Sequence, residues 1–222
     1  MGTIRPLEDI VAILLSFVIA VTIHEFMHAW TAYKLGDTTA RDLGRITLNP
    51  VAHFEPFGFL GMVMISIGWF FIGWGKPVPV QPGRFKGRWA RNRKQGMLLV
   101  TLAGPLSNVA QAIAGGIAVQ FVVRNDIELG QAGNVLGWFV SINILLAAFN
   151  MIPVPPLDGY RILTGILPNF WTPILRPLEQ YGFMILILLL FIGRGVGGGS
   201  VVSGMIDPVQ NALRQLIYYG LL

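Results

Sequence analysis

The sequence predicts an all-α polytopic membrane protein: about four spanning helices, a re-entrant segment, and a short β-hairpin or edge strand beside a polar site. Of its 222 residues, 54% are hydrophobic and only 12% charged, and the mean hydropathy is +0.63. That is more apolar surface than one soluble core can bury. Residues 1–222 read as a single membrane-embedded domain, with its core at about 7–165 and C-terminal helices at about 176–222.

From Leu7 to about Lys34 the chain is apolar apart from Glu8, Asp9 and a cluster at His24 to His28, and its length meets the ~20 residues a crossing needs. Acids stand where a leader peptide would be basic and no small-residue cleavage motif follows, so this reads as a span, not a cleaved leader. A polar stretch, Asp37 to Glu55, precedes the apolar run Phe57 to Trp74, where Gly58, Gly61, Gly68 and Gly73 permit bends. In Lys76-Pro-Val-Pro-Val-Gln-Pro82 the alternate prolines forbid helix and hold an extended chain suited to a sheet edge. Gly96 to Val123 and Val135 to Ile152 are further spans, separated by a polar loop around Arg124 to Glu128. Turn-rich Pro153 to Gly159 leads to a last apolar helix, about Leu178 to Ile192. Gly195 to Gly204 reads as a flexible joint and Pro208 to Leu222 as an amphipathic helix on the membrane surface.

The net charge of +5 is unevenly placed: Lys76, Arg84, Lys86, Arg88, Arg91, Arg93 and Lys94 follow one another with no acid among them. Beside apolar segments, such a loop belongs on the cytoplasmic side of the lipid bilayer. No recognition fold accompanies it, so no nucleic-acid partner is expected. The chain has no cysteine, which excludes disulfides, thiolate nucleophiles and Cys-type zinc sites.

His24-Glu25-Phe26-Met27-His28 is an HExxH element on a helical segment. At ~3.6 residues per turn its two histidines face one way, one turn apart, as two zinc ligands require. Glu25 lies ~100° round the helix, near enough to reach a metal-activated water without taking a ligand position. Charged and metal-binding side chains inside an apolar span cost roughly 2.5–3.5 kcal/mol per charge, so a functional role is the default reading. Catalytic zinc usually takes a third protein ligand, and Thr31 and Lys34 stand where the longer HExxHxxGxxH motif would have Gly and His. His53, Glu55, Asp158 and Glu179 remain as candidates. Asp158 has the strongest case, because the rigid turn after Asn150 places it at the end of an apolar segment.

Several separate segments together resemble the site-2 protease family of intramembrane metalloproteases: His24 to His28, Gly44-Arg45-Ile46-Thr47-Leu48-Asn49-Pro50, Lys76-Pro77-Val78-Pro79-Val80, Ala103-Gly104-Pro105-Leu106-Ser107-Asn108, and Asn150 through Gly159. The resemblance covers roughly residues 10–165. It implies one Zn2+ per chain held by His24, His28 and Asp158, Glu25 as general base, and Asn150 stabilising the oxyanion or holding substrate. Asn108 counts among the substrate contacts with Pro77, Val78, Pro79 and Val80. His53-Phe54-Glu55-Pro56 departs from the family's usual His-Ile-Asp-Pro. Without a PDZ or CBS domain the chain resembles a minimal member, in a prokaryotic plasma membrane with its active site towards the cytoplasm. Implied substrates are single-span membrane proteins, such as anti-sigma factors, or signal-peptide remnants.

For the histidines and Asp158 to share one metal, the ends of their two spans must lie on one side, so Phe57 to Trp74 is expected to dip into the membrane and return. The Pro77 to Val80 strand would take up an unwound substrate by β-augmentation. A metal transporter or zinc scaffold would place ligands along several helices and need no base, unlike Glu25. Gly198-Gly199-Ser200 lacks a following histidine to serve a serine protease, and no GxGD motif is present for an aspartyl one.

Overall fold

The computed structural model describes residues 5–69, 71–192 and 201–220. Helix α1, Leu7–Lys34, is 28 residues long, which at ~1.5 Å per residue exceeds a hydrocarbon core of ~30 Å. After the short α2, Thr39–Asp42, comes α3, Pro56–Ser66. Pro56 opens α3, and the Glu55 carboxylate accepts the Gly58 N–H at its start. α4, Arg88–Arg91, adjoins the long α5, Arg93–Arg124. Then follow α6, Gln131–Asn150; α7, Asp158–Ile166; α8, Thr172–Phe191; and α9, Val201–Gln215, continued by a π-helical turn, Leu216–Gly220. Among the described residues, four helical stretches are long and apolar enough to cross a membrane: Leu7–Lys34, Arg93–Arg124, Gln131–Asn150 and Asn169–Phe191.

Helices α1, α5 and α6 form the centre. His28 meets Val100 and His24 meets Asn108, so α5 is antiparallel to α1. Asn108 meets Asn143, and Asp9 accepts from Asn134 and Trp138, so α6 runs parallel to α1. Small buried residues let these backbones approach: Ala12, Ser16, Ala20, Ala29 and Ala32 on α1, and Gly104, Ala112, Gly115 and Gly116 on α5. Leu7, Val11, Leu15 and Ile19 are exposed at four-residue spacing on α1. That continuous apolar stripe belongs against lipid.

The connection from α1 to α5 starts and ends at the same end of the bundle, because Lys86 N–H donates to Leu35 O at 2.8 Å and Phe85 packs on Ala32, Leu35 and Val100. At 11 residues, α3 reaches about 16 Å and crosses nothing by itself. The chain after it runs back alongside: a Cβ on Gly58 or Gly61 would fall about 2 Å from the Trp74 or Ile72 carbonyl oxygen. Lys76 N–H then meets His53 O at 2.9 Å.

The expected β-hairpin is not formed, and no strand occurs among the described residues. Residues 76–81 form neither helix nor ladder, for a physical reason. Pro77 and Pro79 lack an N–H, while Val78 N–H donates to Glu25 Oε2 at 3.0 Å and Gln81 N–H to Asp37 Oδ2 at 2.6 Å. Side-chain carboxylates take two of the donors a neighbouring strand would need. The C-terminal region also departs from expectation. Helix α8 begins at Thr172 rather than Leu178 and contains Pro177. The expected joint at Gly195–Gly204 falls largely on residues 193–200, outside the described residues, whereas Val201–Gly204 are helical. Pro208 lies inside α9 rather than opening a helix.

Candidate metal centre

Three atoms from two parts of the chain converge near one end of the central helices. His24 Nε2 and His28 Nε2 are 3.0 Å apart, and Asp158 Oδ2 lies 3.1 and 3.2 Å from them. Helical spacing supplies the histidine pair. The turn after α6 supplies Asp158, the first residue of α7.

The donor set fits a metal ion. His28 Nδ1 is 2.7 Å from Val100 O, an atom that can only accept, so this nitrogen carries the hydrogen and Nε2 offers a lone pair. His24 Nδ1 lies 2.6 Å from Asn108 Oδ1, with the same consequence. Asp158 Oδ2 is buried without a hydrogen-bond donor. Three lone-pair donors facing one another need a cation between them. Donors at ~2.1 Å from a tetrahedral zinc stand about 3.4 Å apart, close to the observed edges. Both imidazoles also donate their other N–H to oxygen, the usual support for a metal-bound histidine.

Gly104 completes the cradle: a Cβ there would lie 2.3 Å from His28 Nε2 and 2.6 Å from His24 Nε2. Gly104→Ala is therefore expected to weaken metal binding by about tenfold or more, measured as metal content after dialysis. Unchanged content would mean that the rings can step aside.

A cavity of about 330 Å³ opens on this centre, lined among others by Glu25, Pro77, Val78, Val80, Asn150 and Arg161. Asn150 donates one N–H to Leu146 O at 3.0 Å, leaving the rest of its amide to the cavity. Pro79 is not among the lining residues. Asn108 does not reach the cavity as a substrate contact would: it is 0% exposed behind His24.

The other third-ligand candidates are engaged elsewhere. His53 Nε2 donates to Thr47 O at 2.9 Å, and its Nδ1 faces Arg45 Nη2 at 3.5 Å, so neither ring nitrogen is available. Burial pushes the His53 imidazole below its ordinary value, the Thr47 carbonyl pulls the other way, and the Arg45 guanidinium adds to the lowering. Glu55 caps α3, and Glu179 interacts with Tyr160. Sequence reasoning missed two residues. Arg45, 6% exposed, donates to Lys76 O at 2.5 Å and Pro77 O at 3.4 Å, pinning the proline-rich segment against Glu25. Asn143, 0% exposed, hydrogen-bonds to Asn108. The Gly44 to Pro50 motif was a signal for Arg45, whereas Asn143 had only its polarity within an apolar helix.

Comparison with known proteins agrees with this chemistry. The profile of peptidase family M50 matches residues 110–193. The chain is 35% identical over 217 residues to "Putative zinc metalloprotease YwhC" of Bacillus subtilis, covering 96% of this chain and 91% of that protein. It is 31% identical over 193 residues to the Rip2 protein of Mycolicibacterium smegmatis, described in the same words, covering 85% and 71%. No solved structure matches significantly. With four apolar helices of spanning length and a converging donor set, this chain is an integral-membrane zinc metalloprotease and belongs to peptidase family M50, the site-2 protease family.

Proposed function

We propose that the chain hydrolyses peptide bonds of single-span membrane proteins, with His24, His28 and Asp158 holding the zinc and Glu25 acting as general base. The observation that carries this reading is the meeting of three lone-pair donors in a cavity that also holds Glu25 and the 77–80 segment. Zinc held there would polarise the scissile carbonyl and make water nucleophilic near neutral pH. Glu25 takes a proton from the attacking water as its oxygen joins the carbonyl carbon, then delivers it to the amide nitrogen as the C–N bond breaks. Val78 N–H fixes Glu25 from behind. The Asn150 amide faces the cavity and is suited to donate to the carbonyl oxygen as charge develops there.

Substrate must arrive as an extended chain. With Pro77 and Pro79 lacking N–H groups and Val78 N–H given to Glu25, Val80 N–H is the one donor in 77–80 without a partner among the described residues. It is open to a substrate carbonyl in an added-strand arrangement. Single-span proteins of the anti-sigma-factor kind, or signal-peptide remnants, are the proposed substrates. The test is reconstitution: vesicles containing the protein and a single-span substrate should yield products whose new termini map to the apolar segment. Cuts confined to soluble flanks would overturn the reading.

The basic stretch Lys76 to Lys94 is placed in the cytoplasm, with the zinc near that face of a prokaryotic plasma membrane. Residues 57–74 then enter the membrane and return, tolerated because they pack on protein. Two contacts support this path: Lys76 returns to His53, and Arg5, next to the far end of α1, donates to Ile65 O at 3.3 Å. Cysteines placed at Asn49 and Gln81 should both label from the cytoplasmic side; labelling from opposite sides would mean a full crossing.

A further inference from the structure

The two histidines are held differently. His28 leans on a backbone carbonyl, whereas His24 depends on a chain of side chains across three helices. The direction of that chain is fixed from its far end. Phe139 O can only accept, so the Asn143 amide must present Nδ2–H to it, at 3.0 Å. Asn143 Oδ1 consequently faces Asn108 Nδ2 at 2.9 Å. The same Asn108 nitrogen lies 3.4 Å from Ala20 O, a longer contact that favours the same orientation. Asn108 is left with Oδ1 towards His24 Nδ1, at 2.6 Å. Both asparagines are 0% exposed, so no bulk water competes for their groups.

We infer that Asn143, acting through Asn108, is a positioning residue that sets which nitrogen of His24 carries its hydrogen. The inference rests on reading His24 as a zinc ligand. An Asn amide can rotate by half a turn and present N–H where C=O stood. Towards His24 Nδ1, that rotation would select the tautomer with hydrogen on Nε2 and remove the lone pair aimed at the metal. Asn143 opposes the rotation, because a turned Asn108 would bring its oxygen against the Asn143 oxygen. The chain also ties the two halves of the ligand set together: α6 carries Asn143 in its middle, and the turn at its end delivers Asp158. Supporting groups of this kind are typically worth 10–100-fold in metal affinity.

The test is zinc affinity by chelator competition on purified full-length protein, beside the visible spectrum of the cobalt-substituted form, which reports ligand geometry without any substrate. Asn108→Leu should bind zinc about 10–100-fold more weakly and Asn143→Leu several-fold more weakly, each with an altered cobalt spectrum. Asn108→Asp should lose less affinity than Asn108→Leu, because a carboxylate only accepts and so selects the same His24 tautomer, even with its second oxygen against the Asn143 oxygen. Adding Asn143→Leu to Asn108→Asp should then cause little further loss, since the coupling runs through the amide's orientation. A packing role predicts the reverse ranking, with the similar-sized leucines tolerated and the buried aspartate worst. Leucine variants within about twofold of wild type, or Asn108→Asp weaker than Asn108→Leu, would overturn the inference. Full zinc affinity in His24→Ala would instead overturn the ligand reading on which it rests.

Discussion

Glu25→Gln is expected to keep one zinc ion per chain while lowering peptide cleavage by on the order of 10²–10⁴-fold. The separation of the two effects follows from position. Glu25 shares the cavity but lies outside the converging His24, His28 and Asp158 donors. Its Oε2 accepts Val78 N–H at 3.0 Å, and a glutamine carbonyl can accept the same bond, so the 77–80 segment should keep its place. What the amide cannot do is take a proton from water and pass it on. Zinc content and product formation, measured on one preparation, check both halves. Cleavage within threefold of wild type would remove Glu25 from the chemistry.

Asp158→Ala should be more severe, abolishing both zinc retention and cleavage. It removes the one anionic donor and leaves two neutral imidazoles 3.0 Å apart, where catalytic zinc usually takes three protein ligands. The helical framework should survive, because the Pro-rich turn is anchored separately by Ile152 and Leu157 in the cluster with Leu186 and Leu190. Zinc content after dialysis, with circular dichroism as the control for helix, tests this. A fully loaded variant would return the third-ligand question to the alternatives.

The spans and the HExxH pair were legible because local periodicity and length specify them: Leu7–Lys34 is one continuous helix that needs no tertiary information. Choosing among Asp158, His53 and Glu55 was harder from sequence, since that choice depends on which connection returns where. The structure separates them by giving His53 to Thr47 and Arg45, and Glu55 to the start of α3. Alternate prolines signalled a helix-free segment correctly, but not that Glu25 and Asp37 would take its donors. The glycines of 195–204 suggested a joint, yet its described part, 201–204, is helical, and Val202 and Ile206 pack with Leu186 and Leu190. Tertiary burial overrides local propensity there. Asn143 was invisible for a related reason: a lone Asn in an apolar helix shows polarity but not the helix face it meets.

The most direct measurement of the central claim is X-ray absorption at the zinc edge of the purified, active protein. The account predicts a first shell of two imidazoles with oxygen donors from a carboxylate and water, at ~2.0–2.2 Å. A three-imidazole shell would require His53, the only other histidine in the chain, and would contradict the assignment of Asp158.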